Sequence, residues 1–165
     1  GAGSGAGTEE QEIGMKYSDL YYEDFAVGRS FETDCKTVSE DDIIRFGREF
    51  APLPYHTDPV AATDSMFGGL VAAGFQTCAI SFGLFIDSGV FSACAMGSPG
   101  ADRIRWKRPV KPGETLKVTA TVIEASPARG ENGKNLIRLQ LVTSNQDDVP
   151  VLEMQTLHFV AARPA

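Results

Sequence analysis

The sequence lacks the basic excess that a nucleic-acid-binding protein normally carries. Its 165 residues hold 15 lysines and arginines against 22 aspartates and glutamates, which gives a formal net charge of −7. Affinity for nucleic acid comes largely from cations that neutralise phosphates, so this composition argues against nucleic acid as a partner.

Cysteine and histidine are also scarce. The three cysteines, Cys35, Cys78 and Cys94, form an odd set without regular spacing, so we expect no disulfide framework and a reducing compartment, most simply the cytoplasm. No cysteine–histidine spacing resembles a zinc site, and we expect neither a metal nor an organic cofactor. Cys78 lies in an apolar stretch and is predicted to be a buried thiol.

Long hydrophobic runs are absent too. A membrane-spanning helix needs about 20 consecutive apolar residues. The most continuous apolar stretch, residues 70–86, is interrupted by Gly74, Gln76 and Ser81, so we expect no membrane span. A helix that is apolar nearly all round is normally buried, and this stretch therefore predicts a central helix enclosed by the rest of the domain.

The chain divides into two parts of very different composition. Residues 1–14, GAGSGAGTEEQEIG, are of low complexity and lack an apolar period, so we interpret them as a flexible leader or tag-like extension. Residues 15–165 are predicted to form a single domain, since a chain that is 42% hydrophobic at this length can bury one ordinary core.

The first half of this domain carries several boundary signals. Residues 17–28 are interpreted as a lead-in strand or turn, and residues 29–38 as a first strand with Phe31 as its apolar anchor. Ser39, followed by acidic residues, is predicted to cap a helix that runs to Phe50 and stops before Pro52. Asp58 before Pro59 predicts the start of a further short helical turn, in preference to a role in orienting the nearby histidine.

The second half alternates between apolar and polar residues, as antiparallel strands do. In the first predicted strand, residues 101–108, the alternation places Arg103, Arg105 and Lys107 on one face. The other predicted strands are residues 115–125, 136–143 and 151–161. A buried helix followed by such strands predicts an α+β domain in which an antiparallel sheet wraps the helix.

An open sheet leaves edges that are able to pair with another chain. Residues 136–143 and 151–161 carry few of the charges and prolines that protect an edge. We therefore predict a homodimer in which two sheets join edge to edge through strands such as these.

Four motifs, in this order along the chain, resemble the MaoC-like dehydratases, which are hot-dog-fold relatives of the R-specific enoyl-CoA hydratases. They are PYHTD at residues 54–58, FGG at 67–69, VAAG at 71–74, and RIRW at 103–106 with PVKPG at 109–113. The resemblance covers roughly residues 21–160. It implies a hot-dog fold that assembles as homodimers or dimers of dimers. It also implies a hydro-lyase of fatty acid metabolism that interconverts 2-enoyl-CoA and 3-hydroxyacyl-CoA, or acts on another acyl thioester.

The resemblance also implies roles for two residues. His56 matches the catalytic histidine of the family, and an imidazole can accept or donate a proton near neutral pH. The alternative is a histidine that only hydrogen-bonds the backbone. Gly74 matches the glycine whose backbone N–H meets the thioester oxygen, a task that suits the free N–H groups of a helix start. The alternative is that Gly74 only allows close packing of the helix.

One position departs from the family pattern. Relatives carry an aspartate five residues before the histidine, where this chain has Ala51, and Leu53 stands where some relatives have asparagine. Loss of an acid–base group typically costs about 10²–10⁴ in rate. The activity is then weak, or another group substitutes, with Gln76 and Ser81 as candidates, or the chain is an inactive homologue or an engineered knock-out.

A basic cluster suggests where coenzyme A would bind. Arg103, Arg105 and Lys107 are predicted to hold its phosphates, and the alternative is an ordinary solvated strand face. Two other functions remain open. The first is a non-catalytic module that binds acyl-CoA or another small ligand. The second is a thioesterase, which we rank last because that reaction usually uses a carboxylate near the start of this helix and residues 67–86 contain no acid.

Overall fold

The computed structural model describes residues 15–131 and 133–165, so the predicted leader, residues 1–14, lies outside it. The helices of the described chain are α1 (Glu40–Phe50), α2 (Pro54–Thr57), α3 (Pro59–Ala62) and α4 (Gly74–Asp87), with a 3₁₀ turn at Tyr22–Asp24. The strands are β1 (Ser30–Glu32), β2 (Lys36–Thr37), β3 (Gly100–Trp106), β4 (Thr115–Ser126), β5 (Asn135–Ser144) and β6 (Pro150–Val160).

The strands form one antiparallel sheet in the order β1-β4-β5-β6-β3, and β2 pairs with the beginning of β4. Helix α4 packs on one face of this sheet, where Phe85 joins the core and Ser81 accepts a hydrogen bond from Thr143 of β5. The predicted α+β class, with an antiparallel sheet wrapped around a central helix, is confirmed.

The predicted helix caps are confirmed. The Ser39 hydroxyl accepts a hydrogen bond from the Asp42 backbone N–H at 3.0 Å, and α1 ends at Phe50 as predicted. One Asp58 carboxylate oxygen accepts from the N–H groups of Val60 and Ala61 at 3.0 and 3.1 Å, so this residue caps α3. Both signals are local, since each depends on backbone groups no more than three residues away.

The predicted first strand, residues 29–38, is wrong as a single element. This segment consists of β1 and β2, which are separated by three residues. In this gap, hydrogen bonds of Thr33 take the place of regular strand pairing. The Thr33 hydroxyl accepts from the Val118 N–H, and its own N–H donates to the Val118 carbonyl. Phe31 is fully buried, as the pattern predicts. The lead-in residues 17–28 contain a 3₁₀ turn rather than a strand.

The central helix begins four residues later than residues 70–86 predict. Residues 70–73 are extended because tertiary contacts hold their backbone: the Val71 N–H donates to the Tyr55 carbonyl at 3.0 Å and the Ala72 N–H to the Val110 carbonyl at 2.8 Å. These partners are distant in sequence, so local helix propensity does not decide the conformation here.

Helix α4 is also not buried all round, contrary to the prediction. Phe75, Phe82 and Ile86 are 67%, 38% and 42% exposed in the single chain. The buried side of the helix instead includes the polar residues Gln76, Thr77 and Ser81. The apolar composition of this helix therefore reflects a second, uncovered face as well as the core.

The prediction that residues 136–143 and 151–161 form the edges of the sheet is wrong. Both β5 and β6 lie inside the sheet, since β5 pairs with β4 and β6, and β6 pairs with β5 and β3. The long edge at this side of the sheet is β3. Its register shifts between Asp102 and Arg105. Arg103 has a φ of +52°, in the left-handed region of the backbone that residues other than glycine rarely adopt.

The most buried thiol is Cys94 rather than Cys78, which is half-buried. Burial raises the pKa of the Cys94 thiol to about 11 and also raises the pKa of Cys78. None of the helices in residues 15–131 and 133–165 combines the length and the apolar character that crossing a bilayer would require.

Candidate active site

A cavity of about 460 Å³ lies where α2, the extended residues 70–73, the start of α4 and the end of β3 meet. Four aromatic rings line it: Tyr55, Phe67, Phe75 and Trp106. The polar side chains among its lining residues belong to Tyr55, His56, Thr77, Trp106, Lys107 and Arg108. A concave, largely aromatic pocket with a few polar groups is the usual form of a small-molecule site.

His56 is buried and held in one orientation. Its Nδ1 lies 2.7 Å from the Val71 carbonyl oxygen. A carbonyl can only accept a hydrogen bond, so Nδ1 carries the proton in the neutral ring and Nε2 keeps its lone pair. The Val71 N–H donates to the Tyr55 carbonyl in the same place, so one residue clamps both α2 residues through its main chain.

Helix α1 supports His56 from behind through Gly47. A methyl group added at Gly47 would overlap the carbonyl oxygen of His56 and come within 3.0 Å of its Cβ. The close approach of α1 to α2 therefore requires glycine at this position.

Gly74 is the first residue of α4, so its N–H has no intrahelical acceptor, and no side chain in the described part of the protein caps this end of the helix. The indole N–H of Trp106 donates to the Gly74 carbonyl at 2.8 Å, and an added Cβ would lie 2.6 Å from the indole ring. The close-packing role of Gly74 is thus present in the structure, and its position at the helix start leaves the predicted N–H role compatible with the geometry.

No carboxylate lines the cavity among its described residues. Ala51 follows the last turn of α1 and contributes no polar side chain. The two candidate substitutes lie elsewhere. Ser81 donates to the Thr77 carbonyl and accepts from Thr143, and Gln76 donates to the Asp42 carbonyl in a separate groove between α1 and α4.

The structure separates the predicted basic residues. Arg103 and Arg105 line a depression with Gln140 and Gln155 on the outer face of the sheet, away from the His56 cavity. Lys107 and Arg108 line the cavity itself, with the Lys107 ammonium 3.5 Å from Glu153. Strand β3 ends at Trp106, so the alternation that groups Arg103 with Arg105 does not extend to Lys107.

The second histidine of the chain is outside this cavity. His158 of β6 is buried among the rings of Phe82, Phe85 and Phe91, and its Nε2 lies 2.8 Å from the Thr156 hydroxyl. Burial lowers the pKa of His158 to about 4. The ring is therefore neutral in the folded protein at neutral pH.

This burial predicts a loss of stability in acid. The unfolded chain binds a proton at His158 near pH 6.5 and the folded chain only near pH 4, so stability falls as pH drops through this window. At pH 4 the wild type should have lost about 3 kcal/mol more of its unfolding free energy than His158→Gln, relative to pH 7.5. Urea unfolding at the two pH values measures this, and equal losses in both proteins would contradict it.

Comparison with known proteins gives a consistent set of similarities. Residues 24–145 match the family model described as the MaoC like domain. The uncharacterized protein YdeM of Bacillus subtilis is 35% identical over 131 residues, which cover 79% of this chain and 92% of YdeM. The protein MaoC of Klebsiella aerogenes is 36% identical over 102 residues, covering 61% of this chain, and the chain spans only 30% of that relative.

A solved structure agrees with these sequence similarities. The MaoC-like dehydratase from Rhodospirillum rubrum has a TM-score of 0.81 and 33% identity, covering 89% of this chain and all of that one. The architecture is therefore the hot-dog fold predicted from the motifs.

Proposed function

The chain belongs to the MaoC-like domain family, and we propose that it interconverts 2-enoyl-CoA and 3-hydroxyacyl-CoA by adding or removing water. The observation that carries the proposal is the state of His56. Its Nδ1–H is fixed on the Val71 carbonyl, so Nε2 is free to take a proton in an aromatic cavity at the start of α4.

In the dehydration direction His56 Nε2 takes the proton from the carbon next to the thioester carbonyl. The electron pair of that C–H bond forms the double bond as the hydroxyl leaves the next carbon. Negative charge develops on the thioester oxygen during this step, and the Gly74 N–H is the donor we assign to it. Ala51, at the position of the family aspartate, contributes nothing to the reaction.

We place the phosphates of coenzyme A near the basic residues at the mouth of the cavity. Lys107 and Arg108 support this, because both line the cavity. Arg103 and Arg105 lie on the outer face of the sheet in the single chain. We therefore propose that they bind only those phosphate groups of coenzyme A that extend beyond the cavity. The three free cysteines support a cytoplasmic location.

The functional form we propose is a homodimer, or a dimer of dimers built from it. Strand β3 is an edge of the sheet that the described strands form, and the exposed Phe75, Phe82 and Ile86 form an apolar stripe on α4. Phe75 packs against Trp106 at the end of β3, so the stripe and the edge are adjacent. A second copy that paired along β3 would bring its own α4 beside this stripe.

Light scattering tests this assembly. The wild type should give about twice the chain mass of 17.7 kDa at micromolar concentration, and Ile86→Asp should give the monomer because it places a charge in the apolar interface. Val60→Asp, at an exposed apolar residue of α3, is the control and should stay dimeric. A monomeric wild type would contradict the dimer.

None of the described residues that line the cavity carries a carboxylate, and this favours a second candidate, a non-catalytic module that binds acyl-CoA or a similar ligand. Two measurements on the wild type separate the candidates. The first follows crotonyl-CoA hydration by the loss of the conjugated thioester absorbance. The second measures binding of a non-hydrolysable acyl-CoA analogue by calorimetry. Turnover supports the enzyme, binding without turnover supports the module, and absence of both contradicts each.

A further inference from the structure

One residue that lines the His56 cavity carries a phenol without a hydrogen-bond partner among the described residues. Tyr55, the residue before His56 on α2, lines the cavity, and its hydroxyl makes no hydrogen bond to another described residue. No carboxylate lines this cavity among the described residues, and the residue five positions before His56 is Ala51. Within residues 15–131 and 133–165 the cavity therefore has a base without a carboxylate partner, and the residue next to that base carries a phenol.

The Tyr55 ring packs against two other rings. The centroids of the two rings are 4.5 Å apart at an interplanar angle of 73°, and the Tyr55 ring also packs against Phe67 at 5.2 Å. The Tyr55 carbonyl accepts from the Val71 N–H, in the same clamp that fixes the imidazole. A catalytic pair needs this kind of fixed geometry, because misplacement by about 1 Å can cost 10²-fold in rate.

The other polar groups of the cavity are poorer proton donors. The Trp106 indole N–H is engaged with the Gly74 carbonyl, and the Lys107 ammonium lies 3.5 Å from Glu153. An arginine such as Arg108 does not give up its proton in proteins. Thr77 offers only an aliphatic alcohol, whereas a phenol is an established acid in enzyme active sites.

Resting on the hydro-lyase function proposed above, we propose that Tyr55 is the catalytic acid that works with His56. In dehydration, His56 Nε2 takes the proton from the carbon next to the carbonyl, and the C–H electron pair becomes the double bond. The C–O bond of the neighbouring carbon breaks with its electrons on oxygen, and the Tyr55 O–H supplies the proton that turns the leaving hydroxyl into water. Transfer of a proton from the imidazolium to the phenolate then restores both groups.

The resting state of the site matches this direction. The Val71 carbonyl accepts from Nδ1–H and leaves Nε2 with its lone pair in the neutral ring, and the Tyr55 phenol carries an O–H that is able to donate. Both groups thus begin in the form that dehydration requires. Hydration uses the same two groups with the opposite protonation.

The test separates the two halves of the reaction. Conversion of 3-hydroxybutyryl-CoA to crotonyl-CoA needs both groups, whereas exchange of the α-hydrogens of butyryl-CoA with D₂O needs only the base, since this thioester has no hydroxyl to lose. We compare the wild type with Tyr55→Phe, which keeps the ring. Tyr22→Phe, which removes a phenol outside the cavity, is the matched control.

Tyr55→Phe should lose about 10²-fold or more of its dehydration rate and keep its exchange rate within a few fold, while Tyr22→Phe keeps both. Unchanged dehydration in Tyr55→Phe would overturn the proposal. An equal fall in both rates would also overturn it, because the phenol would then act only on the structure of the site. A wild type with neither reaction would instead refute the hydro-lyase function itself.

Discussion

His56→Ala should lower the rate of crotonyl-CoA hydration by about 10²–10⁴-fold, the usual worth of one acid–base group. The expectation rests on the fixed tautomer: the Val71 carbonyl takes the Nδ1 proton, so Nε2 is the proton carrier in the cavity. Alanine removes this group and leaves the main-chain clamp between Val71 and Tyr55 intact, because that bond uses only backbone atoms. The measurement is initial rate against crotonyl-CoA concentration, with circular dichroism to show that the variant is folded.

The second histidine supplies a matched control for this experiment. His158→Gln removes an imidazole that lies among aromatic rings outside the cavity, so its turnover at pH 7.5 should remain within a few fold of the wild type. If both substitutions lowered the rate equally, or if neither did, His56 would not be the acid–base group. Residual activity in His56→Ala is expected, since the helix start and the cavity still bind and polarise the thioester.

Ala51→Asp should raise turnover, because it returns a carboxylate to the position where the family carries one. The gain should be largest, toward about 10²–10⁴-fold, when Tyr55 is already phenylalanine, and smaller when the phenol is present to share the task. The measurement is the same crotonyl-CoA assay on the single variant and on the double variant with Tyr55→Phe. A gain of equal size in both backgrounds would show that the two groups act independently.

Ala51→Asn is the control for shape, since it has nearly the volume of aspartate without the charge. It should give little or no gain. Position 51 follows the last turn of α1, where the helix dipole disfavours an anion by about 0.3–1 kcal/mol. Ala51→Asp should therefore be slightly less stable than the wild type as it becomes faster. A rate gain that asparagine reproduced would argue against the carboxylate as the cause.

Sequence predicted those parts of the fold that local rules control. The caps at Ser39 and Asp58 depend on neighbouring N–H groups, and the long strands β4, β5 and β6 follow a clean alternation of apolar residues. The start of α4 was missed because Val71 and Ala72 are held extended by carbonyls from other parts of the chain. The sheet edges were missed because strand order is a property of topology, which the pattern of a single strand does not carry.

Some residues of the candidate site were predicted from the sequence, and others required the structure. The motif around residues 54–58 and 71–74 predicted His56 and Gly74, and the structure brings both to one cavity. The basic residues are grouped by alternation along one predicted strand, but β3 ends at Trp106, and Lys107 beyond it lines the cavity while Arg103 and Arg105 line the outer depression. Tyr55 had a sequence signal in its position beside His56, but the structure was needed to identify it as a residue that lines the cavity.

Val71 has two independent roles in the site. Its main chain holds Tyr55 and His56 by hydrogen bonds, and the residue also forms part of the cavity wall. Both of its hydrogen bonds come from main-chain atoms, so every residue type except proline can provide them. Val71 is, however, also one of the residues that line the cavity. Substitutions at this position are therefore able to change which acyl groups fit while the imidazole keeps its tautomer and orientation. In evolutionary terms, a lineage can alter its substrate preference here in single steps without first passing through a form that has lost its base.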